Sequence, residues 1–234
     1  MNTPTARSEL DSMIVEIELT LVSIIQGVAL YFLIESARSV LTTQPMMFWP
    51  YILAGLLVIF IFWSRSVLHI ITVIRWPLEF GHNFLYIACA FLEALLFTRL
   101  GHPIEWFLFG TLFATVGWML FVYDLRLIQA RARDSAGPAS NHLIAVVTRD
   151  QWLNIAALLP AVFMFNLACL ACLHWWPGLF LSGKLHVYLA VAQVVGFGGY
   201  LLYVVRFFAT VAPFVVTARA EWHARAGDPR TKPL

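Results

Sequence analysis

Long apolar runs, broken at intervals by short polar or proline-containing stretches, organise this chain from one end to the other. Six of them are long enough to cross a hydrocarbon core of about 30 Å, which takes about 20 helical residues. They are expected at Met13 to Ile34, Trp49 to Ile74, Asn83 to Arg99, Glu105 to Tyr123, Trp152 to Trp175 and Leu185 to Phe208. In lipid a backbone N–H or C=O has no water to bond, so a continuous apolar run of this length predicts a helix. Trp49, Trp76, Trp106, Trp152, Trp175 and Trp176 fall at the run edges, where an indole sits between headgroups and acyl chains. Pro45, Pro77, Pro103 and Pro177 mark turns.

The predicted fold class is therefore all-α, a polytopic transmembrane bundle of six helices. Its orientation follows from the loop cations. With both termini in the cytoplasm, Arg7, Arg75, Arg126, Arg131, Arg133, Arg149, Arg219, Arg225, Arg230 and Lys232 lie inside, against Arg38, Arg99 and Lys184 outside. The positive-inside rule selects that arrangement, and a bacterial inner membrane is the expected location. The domain plan is a cytoplasmic N-terminus (1–12), a four-helix unit (13–123), a cytoplasmic loop (124–151), a two-helix unit (152–208) and a cytoplasmic tail (209–234). The start, MNTPTARSELDS, lacks the basic region, short apolar run and cleavage site of a signal peptide, so the first run is expected to persist as a helix.

Composition narrows the function. Of 234 residues, 61% are hydrophobic and 12% charged, with a mean hydropathy of +0.79, which leaves no room for a sizeable soluble domain. The lipid bilayer is the first expected partner. A net charge of +2, with Lys and Arg scattered over loop ends, argues against nucleic acid. Cys89, Cys169 and Cys172 sit inside apolar runs, so no disulfide framework is expected, and the C-x-x-C at 169 and 172 reads as packing. The seven histidines show no same-helix ligand spacing, and no metal or cofactor is expected. A haem held between two helices is the one cofactor they leave open. No nucleophile elbow, P-loop or catalytic carboxylate motif is present, so an enzyme is not expected.

The polar interruptions carry the remaining information, because an ionisable side chain at mid-membrane costs at least about 2.5 kcal/mol. In the first run Glu16, Thr20, Ser23 and Gly27 share one helix face, with Gln26 beside it and Glu18 near the headgroups. That face is either an ion-lined surface or a site of close helix packing. Arg65, His69 and Thr72 share a face of the second run, and Asn83, Tyr86, Ala90 and Glu93 one of the third. Arg65 and Glu93 each fall about 15 Å from the inner boundary. They are expected to pair, with His69 and Tyr86 one turn inward. Such a pair marks an ion or proton path, or it simply clasps a helix hairpin.

Weaker features are a small-residue edge of Gly110, Ala114 and Gly117 and a face of Gln193, Gly196, Tyr200 and Tyr203. Asn154 and Asn166 are candidates for inter-helix hydrogen bonds, while Asp124 and Arg126 read as a solvated helix end.

Gln26-Gly27-Val28-Ala29, then Trp63, Arg65 and His69, then Asn83-Phe84-Leu85 follow one another at separations that resemble a known family. These landmarks are similar to those of the bacterial six-helix relatives of the lysosomal potassium and proton channel. The resemblance covers about the first hundred residues and implies a tetrameric cation channel lined by its first helix. The family's Phe-Ser-Asp motif is not preserved, since Ile24, Ile25 and Gln26 stand there and Thr20 replaces the Arg expected four residues earlier. The apolar gate of that family would fall near Tyr31 and Glu35, so gate and selectivity do not carry over.

The resulting expectation is a homo-oligomeric channel or transport protein for a monovalent cation or protons. The alternative is a non-transporting membrane subunit whose charges are structural and whose 124–151 loop docks a protein partner.

Overall fold

The computed structural model describes residues 6–43, 45–72, 80–134 and 137–226, and every regular element among them is helical. Ile74, Arg75, Trp76 and Pro77, at the end of the second expected run, lie outside the described residues, as do Arg230 and Lys232. The helices are α1 (Ala6–Thr43), α2 (Pro45–Thr72), α3 (Phe80–Thr98), α4 (Pro103–Asp134), α5 (Pro138–Leu153), α6 (Leu159–Trp175) and α7 (His186–Ala226). A π-helical turn, Asn154–Leu158, joins α5 to α6 without a break in the rod. Pro160 explains its position: with no N–H to give to the preceding turn, proline disrupts the regular ladder just ahead of itself.

Six rods are long and apolar enough to span a membrane, as expected: Val15–Thr42, Met47–Thr72, Phe80–Thr98, Pro103–Ala130, Pro138–Trp175 and His186–Ala218. The polar stretch at 124–151, expected to extend the fourth helix, break at Ser135 to Ser140 and resume as an amphipathic stretch, is helical on both sides of such a break. Residues 124–134 continue α4, and Pro138 restarts the chain as α5 behind the extended Gly137. The free N–H groups that open α5 are met from another helix. Ala139 and Ser140 donate to the Glu221 carboxylate of α7, both at 3.2 Å, a favourable site for an anion. Leu143 and Val147 of α5 are then buried with Val211, Val215 and Ala218 of α7, Leu68 of α2 and Ile128 of α4.

Elsewhere α1 lies on α2 and α3, α3 on α4, α4 on α6, and α7 along α2 and α5. The last two rods thus complete the same bundle as the first four. Close approach is built in by small residues, the usual device where lipid gives helices no hydrophobic reason to associate. A Cβ on Gly55 would come within 2.8 Å of Leu33, and one on Gly110 within 2.7 Å of Asn166 Oδ1.

Helix α3 has the apolar outer face that a span beside acyl chains requires. Phe80, Phe84, Ile87 and Phe91 form its exposed stripe, while Tyr86, Cys89 and Glu93 face inward. The two ends of the bundle also differ. Where α2 starts, α3 ends and α7 starts, the interior is filled by Tyr51, Phe97, Phe107, Trp106 and Leu100, all fully buried. At the opposite end, which holds the start of α1, the interior collects charge.

Candidate functional site

The expected Arg65–Glu93 pair does not form. Arg65 turns to α5, where Nη1 and Nη2 donate to Asp150 Oδ1 and Oδ2 at 3.2 and 2.7 Å. The helical form of residues 138–153 is the physical reason, since it carries Asp150 into the bundle instead of leaving it in a loop. The two side chains are 8% and 1% exposed. Tyr203 Oη donates to Asp150 Oδ1 at 2.5 Å, and Asn154 Nδ2 donates to the same oxygen at 3.3 Å. Tyr200 Oη in turn donates to Asn154 Oδ1 at 2.5 Å, and the Phe121 ring lies 5.0 Å from the guanidinium carbon. Two-pronged, charge-assisted bonding with further donors on the carboxylate is the form in which a buried ion pair is best compensated.

Glu93 is fully buried and is held by one bond, from Gln26 Nε2 to its Oε2 at 3.1 Å. Among the described residues its other oxygen has no hydrogen-bond partner, nor have Gln26 Oε1 and Tyr86 Oη. Tyr86 faces Gln26, Glu93 and Ser66 without making a hydrogen bond of good geometry, and its ring stacks on Phe62 at 5.0 Å. The uncompensated Glu93 oxygen thus lies with two further uncompensated polar atoms, Gln26 Oε1 and Tyr86 Oη, in the interior of the bundle. His82, Tyr86, Cys89 and Glu93 lie within about 60° of one another around α3, and the row is about 16 Å long.

A third cluster lies at the head of that row. His82 Nδ1 is 2.7 Å from Asp124 Oδ1, and His69 Nδ1 is 3.7 Å from Asp124 Oδ2. The two imidazoles stack with centroids 4.9 Å apart and planes 10° from parallel. Asp124 is buried, a correction to its reading as a solvated end. Glu18 of α1 is also buried, with its charge close to His82.

The other predicted residues divide. Glu16, Thr20, Ser23 and Gly27 lie on the outer surface of the single chain, with Thr20 and Ser23 hydroxyls donating to Glu16 O and Leu19 O, each at 2.8 Å. Asn83 is half-buried at the start of α3, and Thr72 is buried on its own helix with its hydroxyl on Leu68 O at 2.7 Å. Asn154 and Asn166 both bond across helices as expected, Asn166 Oδ1 accepting from Gln193 Nε2 at 3.0 Å. At the far end Gln193 Oε1 accepts from Trp106 at 2.8 Å, and Tyr51 Oη sits 2.8 Å from His186 Nδ1.

Asp150 and the His82–Asp124 contact escape a reading of the sequence because their partners lie 85 and 42 residues away. One signal for the first was there: Asp150 and Asn154, four apart, share a helix face with each other. Compared with models of known families, with characterised proteins and with solved structures, the chain matches none. The functional reading therefore rests on the geometry of this site, in a protein whose class is a polytopic helical membrane protein.

Proposed function

We propose that the chain is a multi-pass inner-membrane protein that moves protons, or a monovalent cation, through the bilayer as a homo-oligomer. Glu93 is its mid-membrane station, and His82 and Tyr86 are the steps that lead to it from the cytoplasmic face. The observation that carries this reading is the unmatched carboxyl oxygen of Glu93 beside the unmatched Gln26 and Tyr86 oxygens. A polar atom left without a partner in a bilayer interior costs several kcal/mol, so a site that keeps three together favours a visiting charge. Protons suit it better than potassium, since a carboxylate, one amide and one phenol offer too few oxygens to replace an ion's hydration shell.

The other parts fit around Glu93. Arg65 and Asp150 neutralise each other and fix α2 against α5. The packed aromatics of the far end close the site on that side, so access runs from the end holding His82. The exposed α1 stripe, with open space beside Gly27, suits a second copy packing closely. The likeness of the first hundred residues to the potassium and proton channel relatives points the same way.

The test is reconstitution into liposomes with proton and potassium flux followed under imposed pH gradients and voltages. Proton flux above that of empty liposomes is expected. Flux equal to theirs at every pH and voltage overturns the proposal.

A second reading is favoured by one observation, the two-pronged Arg65–Asp150 pair with Tyr203 and Asn154 also donating to the carboxylate, which is the bonding a fixed clasp requires. On that reading the chain is a non-transporting subunit, and a partner lies in the shallow groove lined by Ala132, Ile144, Thr148, Arg149 and Trp152. It predicts a stable partner that co-purifies and whose loss follows Arg149→Glu.

A further inference from the structure

The three-residue cluster at the head of the α3 row is more than a histidine–carboxylate ion pair needs. A single hydrogen bond from His82 to Asp124 satisfies that pair, yet a second imidazole, His69, is laid parallel to the first and aimed at the other carboxylate oxygen. At 3.7 Å, His69 Nδ1 is too far from Asp124 to be hydrogen-bonded, and its Nε2 is buried with no partner among the described residues. A buried imidazole without hydrogen bonds is costly. Gathering it there makes physical sense if its lone pair has another use.

We propose that His69, His82 and Asp124 bind a divalent first-row transition-metal cation of the zinc or cobalt class. The donor set is the chemistry such ions prefer: two neutral imidazoles and a carboxylate, with a fourth position left to solvent. One ligand atom from each residue lies within 4.8 Å of the other two. Zinc at about 2.0–2.1 Å from each ligand asks for separations of about 3.3 Å. A bound ion must also lie in the plane of each imidazole, so one ring has to turn about its Cα–Cβ and Cβ–Cγ bonds out of the 10° stack, closing the 3.7 Å separation of His69 from Asp124 and opening the 2.7 Å contact of His82.

Each ligand comes from a different helix, α2, α3 and α4, so the helices already packed together preassemble the site. The surrounding charge also permits a cation. Buried Glu18 faces His82 from α1, and Arg65, one turn from His69, is neutralised by Asp150. The spacing of the ligands along the chain conceals the set, since they fall at 69, 82 and 124 with no motif between them.

The experiment uses full-length protein in detergent, stripped with a chelator. Cobalt is titrated in and followed by its visible absorption, and zinc by calorimetry. One ion per chain is expected, with affinity lowered about tenfold or more by His69→Ala and by Asp124→Asn. His142→Ala and His174→Ala, which alter exposed histidines, are expected to leave binding unchanged. Binding that is equal in all four variants assigns the metal to surface histidines and overturns the proposal, as does no binding at all. Should the His69 or Asp124 variants fail to fold, X-ray absorption on zinc-loaded wild type decides. Two imidazoles with a carboxylate oxygen support the site, and a shell of oxygens alone rules it out. Flux plays no part in these measurements, so a failed transport assay leaves them intact and a failed titration leaves the transport reading intact.

Discussion

Arg65 decides more about the polar interior than any other side chain, because a guanidinium at that depth must be matched by something. Its match is Asp150, which makes a testable contrast with the Glu93 pairing that helix depth suggested. Asp150→Ala strands a buried cation and is expected to cost about 3–5 kcal/mol, as is Arg65→Ala for the converse reason. The double variant Arg65→Ala/Asp150→Ala is expected to cost much less than the sum, while Arg65→Ala with Glu93→Gln is expected to be nearly additive. Thermal unfolding in detergent, read as two double-mutant cycles, checks both. Coupling of Arg65 to Glu93 and not to Asp150 contradicts the structure. The sequence marks both Arg65 and Glu93 as costly interruptions, since their flanks are apolar. It does not mark their partners, because two residues at equal depth meet only if their helices are rotated toward each other, and that rotation is set by packing across the whole bundle. Asp150 is hidden further by its neighbours Thr148, Arg149 and Gln151, which make the stretch look like a solvated connection.

Helix identity, by contrast, can be read from run length alone, and the six spans emerge in order. Their ends cannot, because a helix that leaves the membrane is no longer required to be apolar. Thus α4 runs on to Asp134 and α7 to Ala226, while the 138–153 stretch becomes a helix by docking Leu143 and Val147 on α7. The Glu221 carboxylate at the head of α5 belongs to that docking. Glu221→Gln is expected to cost about 0.3–1 kcal/mol through loss of the charge at the helix start, and hydrogen exchange should rise in α5 before it rises in α2. Protection unchanged along α5 would show that the cap contributes nothing. Close contact between α4 and α6 rests on Gly110, where an added Cβ would meet Asn166 Oδ1 at 2.7 Å. Gly110→Ala is expected to destabilise by about 1–3 kcal/mol and to disturb the Trp106–Gln193–Asn166 chain, readable as a change in tryptophan fluorescence. An unaltered spectrum and midpoint would contradict that packing.

The molecule as a whole is asymmetric from one end of the bundle to the other: buried ionisable groups gather toward one end, and packed aromatics fill the interior of the other. The cation count over the loops is the ground for expecting the ionisable end in the cytoplasm. Asn141→Cys, exposed near the start of α5, should therefore resist a membrane-impermeant maleimide in intact cells, and Lys184→Cys should react. The reverse pattern inverts the orientation and moves the entrance of the proposed path to the outside. Composition alone identifies a multi-pass membrane protein, but the grouping of Glu93 with Gln26, and of His69 with His82 and Asp124, appears only when four helices are in place. The central claim is that Glu93 itself passes the charge, and one comparison reaches it most directly. Proton flux in liposomes is measured for wild type and for Glu93→Gln, a change that keeps the shape of the side chain and removes its exchangeable carboxyl proton. The account predicts that the variant folds, inserts and falls to the level of empty liposomes; a folded variant that conducts as wild type does contradicts it.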